Sequence, residues 1–134
     1  MLTGGCNCGG VRWELDAEPT EFTYCHCRRC QRRTGAAWSA QVRAEPGTLR
    51  IVAGEELVRE WDPGDGGWFK CFCATCGSQL FSKKPDGVLW SVRLGTFDEA
   101  PADIRPKHRQ FLAYAAAWEP VPDEGIPHYD ESAG

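Results

Sequence analysis

The sequence lacks an excess of basic residues. It carries 15 Lys and Arg against 19 Asp and Glu, for a net charge of −4. Binding to nucleic acid or to an anionic membrane needs a basic face, so neither is expected as a partner. Residues 1–20 show neither the basic start nor the apolar run of a secretory signal. No stretch is long and apolar enough to cross a bilayer. No fixed-length repeat and no helical heptads occur. These absences point to a soluble, cytoplasmic protein, and a reducing cytoplasm makes disulfides rare.

What the sequence does have is eight cysteines, 15 glycines and nine prolines in 134 residues. Glycine and proline spread along the whole chain favour short strands and turns over long helices. The length suits one domain, and 42% hydrophobic residues can supply its core. Residues 11–15 alternate apolar and polar, the mark of a half-buried strand. Residues 22–25, 36–43 and 68–73 also read as strands. Residues 27–35 read as a turn or short helix ending at Gly35. Residues 48–52 and 57–61 look like a hairpin joined at 53–56. Residues 79–82 and 88–94 flank the turn signal Lys84-Pro85-Asp86-Gly87. Residues 111–118 suit a strand or a short helix. The expected architecture is all-β, with antiparallel strands and loops gathered at metal sites. One domain is expected over 1–122, with an extended tail over 123–134.

The cysteines fall in three clusters: Cys6-x-Cys8, Cys25-x-Cys27-x-x-Cys30 and Cys71-x-Cys73-x-x-Cys76. On a strand, residues i and i+2 face the same way, so a Cys-x-Cys pair can offer two sulfurs to one ion. Cys-x-x-Cys at a tight turn does the same and is a common zinc spacing. Gly77, directly after Cys76, permits the positive φ such a turn uses. The most natural partition gives Cys6, Cys8, Cys73 and Cys76 to one closed, structural zinc. Cys25, Cys27 and Cys30 then hold a second zinc through three sulfurs. Disulfides are disfavoured by the compartment and by the poor geometry of Cys-x-Cys bridges. Neither ferredoxin spacing is present. Cys71 is left as a fourth ligand to the second ion or as a small buried hydrophobe, the commoner fate of a free cysteine.

With these residues in view, the chain resembles the glutathione-dependent formaldehyde-activating enzyme (GFA) family, which includes centromere protein V. The matching pieces are Gly4-Gly5-Cys6-Asn7-Cys8-Gly9, Cys25-His26-Cys27-Arg28-Arg29-Cys30, Thr34-Gly35-Ala36 and Phe72-Cys73-Ala74-Thr75-Cys76-Gly77-Ser78. Trp118 and Gly125-Ile126-Pro127-His128-Tyr129 extend the match toward the C-terminus. The resemblance implies an Mss4-like (β-tent) fold of antiparallel sheets joined at zinc sites. It implies the same partition, with Cys25, Cys27 and Cys30 as catalytic zinc ligands and two zinc ions per chain. The implied activity is that of a carbon–sulfur lyase condensing formaldehyde with glutathione to S-hydroxymethylglutathione. Cys71 is not part of the family pattern.

Glutathione carries two carboxylates, and arginine matches carboxylates with paired donors. Arg28, Arg29, Arg32 and Arg33 flank the second cluster and are candidates for that contact. Trp38 is the candidate wall of a ligand pocket, with Thr34 and Ser39 as weaker hydrogen-bond donors. His26 lies between two ligands and is expected to point away from the metal. His108 and His128 carry little signal. Trp61, Trp68, Trp90 and Trp118 are expected in the core or against a sheet. A rival class is a non-catalytic zinc module that binds a protein or a small anionic or thiol ligand. Closure of the second site by Cys71 would favour it.

Overall fold

A computed structural model describes residues 1–134. Ten short strands form two sheets, and one short α-helix lies between the third and fourth strands in the chain. The smaller sheet contains β1 (Leu2–Gly5), β2 (Arg12–Leu15) and β5 (Leu49–Ala53), in the order β1-β2-β5. On β2 the alternation read from the sequence is realised: Trp13 and Leu15 are buried, and Val11 just before them continues the inward row. Trp13 packs edge-on against Phe97 with centroids 4.7 Å apart, and its Nε1 donates to Thr96 Oγ1 at 3.2 Å. A buried indole N–H needs such a partner.

The larger sheet has seven strands. They are β3 (Glu21–Cys25), β4 (Ser39–Arg43), β6 (Val58–Trp61), β7 (Phe69–Cys73), β8 (Gln79–Lys83), β9 (Leu89–Arg93) and β10 (Arg105–Gln110). Their order is β10-β3-β4-β9-β8-β7-β6. Every pairing is antiparallel except β10 on β3, which is parallel. The fold is therefore all-β, with one parallel edge that an antiparallel expectation did not include. Val42, Leu80, Phe81, Val92, Cys71 and Cys73 of this sheet meet Trp13 and Leu15 of the smaller one in a single core.

The expected hairpin over 48–61 does not form. β5 pairs with β2, while β6 pairs with β7 in the other sheet. The connection is one 3-10 turn, Glu55–Leu57, instead of a tight reversal. Gly54 enters it at φ +74°, and a Cβ there would lie 1.9 Å from the Gly10 carbonyl oxygen. Only glycine fits that approach, which sends the chain across to the second sheet. Leu49 and Ile51 gain Leu15 and Trp13 as cross-strand partners.

Residues 27–35 resolve as helix α1, Arg28–Thr34, closed by Gly35 in the left-handed conformation. Residues 111–118 hold only a 3-10 turn, Leu112–Tyr114. β10 has no counterpart in the sequence reading. The tail folds back beside it: Tyr129 N–H donates to the Arg109 carbonyl at 2.9 Å, and Arg109 N–H to the Pro127 carbonyl at 3.1 Å. Of the tryptophans expected in the core or against a sheet, Trp61 on an edge strand and Trp118 in a loop are exposed, while Trp68 packs on Trp90 of β9 with ring centroids 4.6 Å apart.

Two sulfur clusters and the cleft between the strands

The first sulfur cluster gathers Cys6, Cys8, Cys73 and Cys76, all within 4.8 Å of one another. Cys6 follows β1 and Cys8 lies in the turn before β2, so this pair sits on a turn instead of a strand. Cys73 ends β7, and Cys76 follows in the next turn. Gly77 has φ +77°, and its N–H donates back to the Cys73 carbonyl at 2.8 Å. The two turns are laced together: Asn7 N–H donates to Ser78 Oγ at 2.8 Å, and Val11 N–H points at Cys6 Sγ at 3.2 Å. Hydrogen bonds from the Ser78 hydroxyl and backbone pull the Cys76 thiol down to about 5. The cluster thereby joins the small sheet to the large one.

The second cluster is Cys25, Cys27 and Cys30, again within 4.8 Å. No fourth His, Cys, Asp or Glu ligand atom joins it. Cys25 ends β3. Cys27 is the N-cap of α1, and its sulfur accepts the Cys30 N–H at 3.3 Å. Gln31 clamps the segment by donating through Nε2 to the carbonyls of His26 and Tyr114, both at 2.8 Å. Thr34 Oγ1 donates to the Cys30 carbonyl at 2.7 Å, inside the helix instead of toward a ligand. Hydrogen bonds from Cys25 and Cys27 hold Cys30 well below the usual thiol range, and the Arg33 charge adds to this. The same crowding pushes Cys25 up.

Cys71 belongs to neither cluster. It is 2% exposed and packs in the core, and burial pushes its thiol up to about 11. The i, i+2 pair on β7 thus divides, with Cys73 reaching a sulfur cluster and Cys71 the apolar interior.

Both donor sets fit a thiophilic ion. A tetrahedral ion at roughly 2.3 Å from each sulfur separates the sulfurs by about 3.8 Å. Cys6 and Cys8 lie 3.5 Å apart, and Cys8 and Cys73 lie 3.9 Å apart. Sulfurs this close repel one another as thiolates unless a cation sits among them.

The second cluster opens on a cleft of about 880 Å³. That lies within the range of small-molecule sites, roughly 300–1,000 Å³. Of the candidate arginines, Arg29 and Arg33 line it. Arg29 is paired with Asp65 at 2.9 Å. Arg28 turns back to Gln31 Oε1 at 2.7 Å, and Arg32 faces a neighbouring groove. Trp38 does not line the cleft; it packs edge-on against Tyr24, with Arg109 beside it. Ser39 is buried and bonds Gln41 Oε1 at 2.7 Å. His26, between two of the cluster's cysteines, is fully buried. Burial and the Arg109 charge depress its basicity. A guanidinium only donates, so His26 Nε2 accepts from Arg109 Nη1 at 3.1 Å and the ring is neutral.

Sequence reasoning missed Lys70, Ser82 and Arg93, which line the same cleft. Burial, with repulsion from Arg93 and Arg33, pushes Lys70 down to about 8. Burial and Arg33 bring Arg93 to about 10, so it stays charged at neutral pH. The available signal was strand alternation: Ser91 and Arg93 share one face of β9, between inward-facing neighbours.

Paired sheets tied by one four-sulfur cluster, with a three-sulfur cluster at a cleft, define a β protein with two cysteine sites that could hold metal ions. The model of the family described as glutathione-dependent formaldehyde-activating enzyme matches residues 1–114, and the chain belongs to that family. A Halomonas elongata protein, named provisionally as a glutathione-dependent formaldehyde-activating enzyme, is 27% identical over 123 residues. The match covers 84% of this chain and 74% of that protein. A crystal structure of a Rhodobacter sphaeroides protein superposes with TM-score 0.59 at 24% identity, over 75% of this chain and 91% of that one. That likeness concerns the fold.

Proposed function

We propose that this chain adds a small thiol, glutathione or a related one, to formaldehyde or a similar small electrophile, in the manner of a carbon–sulfur lyase run toward synthesis. The observation that carries this reading is the second sulfur cluster. It has three sulfurs, no fourth protein ligand, and a cleft in front of it. Three-ligand metal sites are the open, reactive kind, and four-ligand sites the closed, structural kind. Cys25, Cys27 and Cys30 would hold one zinc, and Cys6, Cys8, Cys73 and Cys76 another. The zinc at the three-sulfur site would supply positive charge that keeps a bound thiol ionised near neutral pH.

The reaction itself needs no oxidant or reductant. The thiol sulfur bonds to the carbonyl carbon, the C=O π pair moves to oxygen, and the thiol's proton ends on that oxygen. The product with glutathione and formaldehyde is S-hydroxymethylglutathione. Arg33 Nη2 lies 3.6 Å from Cys30 Sγ and keeps positive charge beside the sulfurs. The α1 N-terminal turn fixes Cys27 and Cys30, while buried His26 and Arg109 hold the strand end that carries Cys25. A reducing cytoplasm keeps such thiols free. The rival reading, a non-catalytic module, drew its support from Cys71 closing the second site. Cys71 in the core withdraws that support.

The test is the initial rate of S-hydroxymethylglutathione formation, followed by NMR with and without the metal-loaded protein. The uncatalysed addition proceeds by itself, so the readout is the ratio of the two rates. The expected result is acceleration that Cys30→Ser abolishes. An unchanged rate contradicts the activity.

A further inference from the structure

The cleft floor holds positive charge that no acidic side chain neutralises. Arg33, Lys70 and Arg93 line it beside the three sulfurs, and none of them takes part in an ion pair. Glu45 on the cleft wall faces Arg43 instead, and Glu21 is exposed. Arg93 is only 7% exposed. Its Nη2 donates to Ser82 Oγ at 2.9 Å and its Nη1 reaches Ser91 Oγ at 3.4 Å, while its buried Nε has no partner. Lys70 Nζ donates to the same Ser82 Oγ at 3.2 Å. Ser82 accepts from both cations, and its own hydroxyl proton has no acceptor among the protein groups. The buried Nε of Arg33 is also without a partner.

Burying charge without a counter-charge is costly, and folds keep such groups where a ligand uses them. The sulfur cluster accounts for part of the charge. Three thiolates around one divalent ion carry a single net negative charge, which offsets one of the three cations. Two remain, with unused donors on Arg33, Arg93 and Ser82. This arrangement suits a carboxylate, which accepts several charge-assisted hydrogen bonds at once.

We propose that Arg33, Lys70, Arg93 and Ser82 form an anion subsite beside the Cys25–Cys27–Cys30 cluster that takes a carboxylate of the reacting small molecule. The subsite rests on the reading of this cleft as the reaction site, and it deepens it. Three of its four residues lie on β7, β8 and β9, away from the exposed arginines of α1 that the sequence singled out. The carboxylate has two sources. It belongs either to the thiol, as in glutathione, or to the carbonyl compound, in which case the electrophile is an oxo acid.

The test is calorimetric titration of the full-length, metal-loaded protein with three probes: glutathione, glutathione diethyl ester and glyoxylate. If the carboxylate comes from the thiol, the diester binds about tenfold or more weakly than glutathione, as expected for lost charge-assisted bonds. Lys70→Met and Arg93→Gln then weaken glutathione by a similar factor and leave the diester unchanged. If the carboxylate comes from the electrophile, glutathione and its diester bind alike, glyoxylate binds by itself, and both variants weaken glyoxylate. Should Arg93→Gln fail to fold, Lys70→Met and Ser82→Ala decide the outcome. The proposal is overturned if neither glutathione nor glyoxylate binds, or if folded variants bind both as the parent does. Formaldehyde turnover is not part of the readout, so the subsite and the proposed reaction can fail separately.

Discussion

Single residues differ in how plainly the sequence exposes their roles. The cysteines are legible because spacing along the chain sets which sulfurs can meet, and the two clusters contain the seven sulfurs that spacing selects. Lys70 and Arg93 are not legible in the same way. Their meaning depends on which face of a strand turns inward and on which strand lies next to it. Arg109 is a further case. It is 6% exposed, its Nε sits 3.1 Å from both Glu124 oxygens, its guanidinium stacks 3.9 Å over Tyr24, and it donates to His26. Its partners Tyr24 and His26 lie far from it along the chain. Arg109→Met would leave the Glu124 carboxylate and His26 Nε2 without their donor. Breaking a buried pair from one side costs about 3 kcal/mol, so a urea titration is expected to show a loss of that order. A change below about 0.5 kcal/mol, the range of ordinary surface substitutions, would mean the network is not structural.

At the scale of elements, strands with an apolar face announce themselves and polar edge strands do not. β2 and β7 carry inward rows of apolar side chains, and the β8–β9 hairpin is marked by the turn signal Lys84-Pro85-Asp86-Gly87 between its strands. β10 reads Arg-Pro-Lys-His-Arg-Gln, with no alternation and a proline inside. It is a strand only because it lies at the edge of the sheet, parallel to β3, where a missing N–H is tolerated. The hairpin expected over 48–61 failed for the opposite reason. Both strands exist, but each finds a better-matched partner than the other. The turn after Cys73 offers a direct test of element geometry. Gly77 at φ +77° has open space around a Cβ, so Gly77→Ala strains the backbone without a clash. The expected cost is about 1 kcal/mol in thermal or denaturant unfolding. A substitution with no effect would show that the turn does not need the left-handed conformation.

The whole molecule consists of a three-stranded and a seven-stranded sheet sharing one core, with the four-sulfur cluster bridging them. The three-sulfur cluster hangs on β3 and a single short helix at the cleft, away from that seam. The fold class and the family were legible, because they rest on local patterning and on cysteine order. The cleft was not, because its walls come from strands far apart in sequence. Everything proposed for this molecule depends on a division of labour between its two sulfur sites. Metal analysis combined with thermal unfolding of Cys76→Ser and Cys30→Ser probes that division. Two zinc ions per parent chain are expected. Cys30→Ser is expected to lower the zinc content by about one ion and leave unfolding cooperative. Cys76→Ser is expected to unfold or aggregate the protein, because structural zinc contributes folding energy directly. Equal losses of metal and of stability in the two variants would contradict the division.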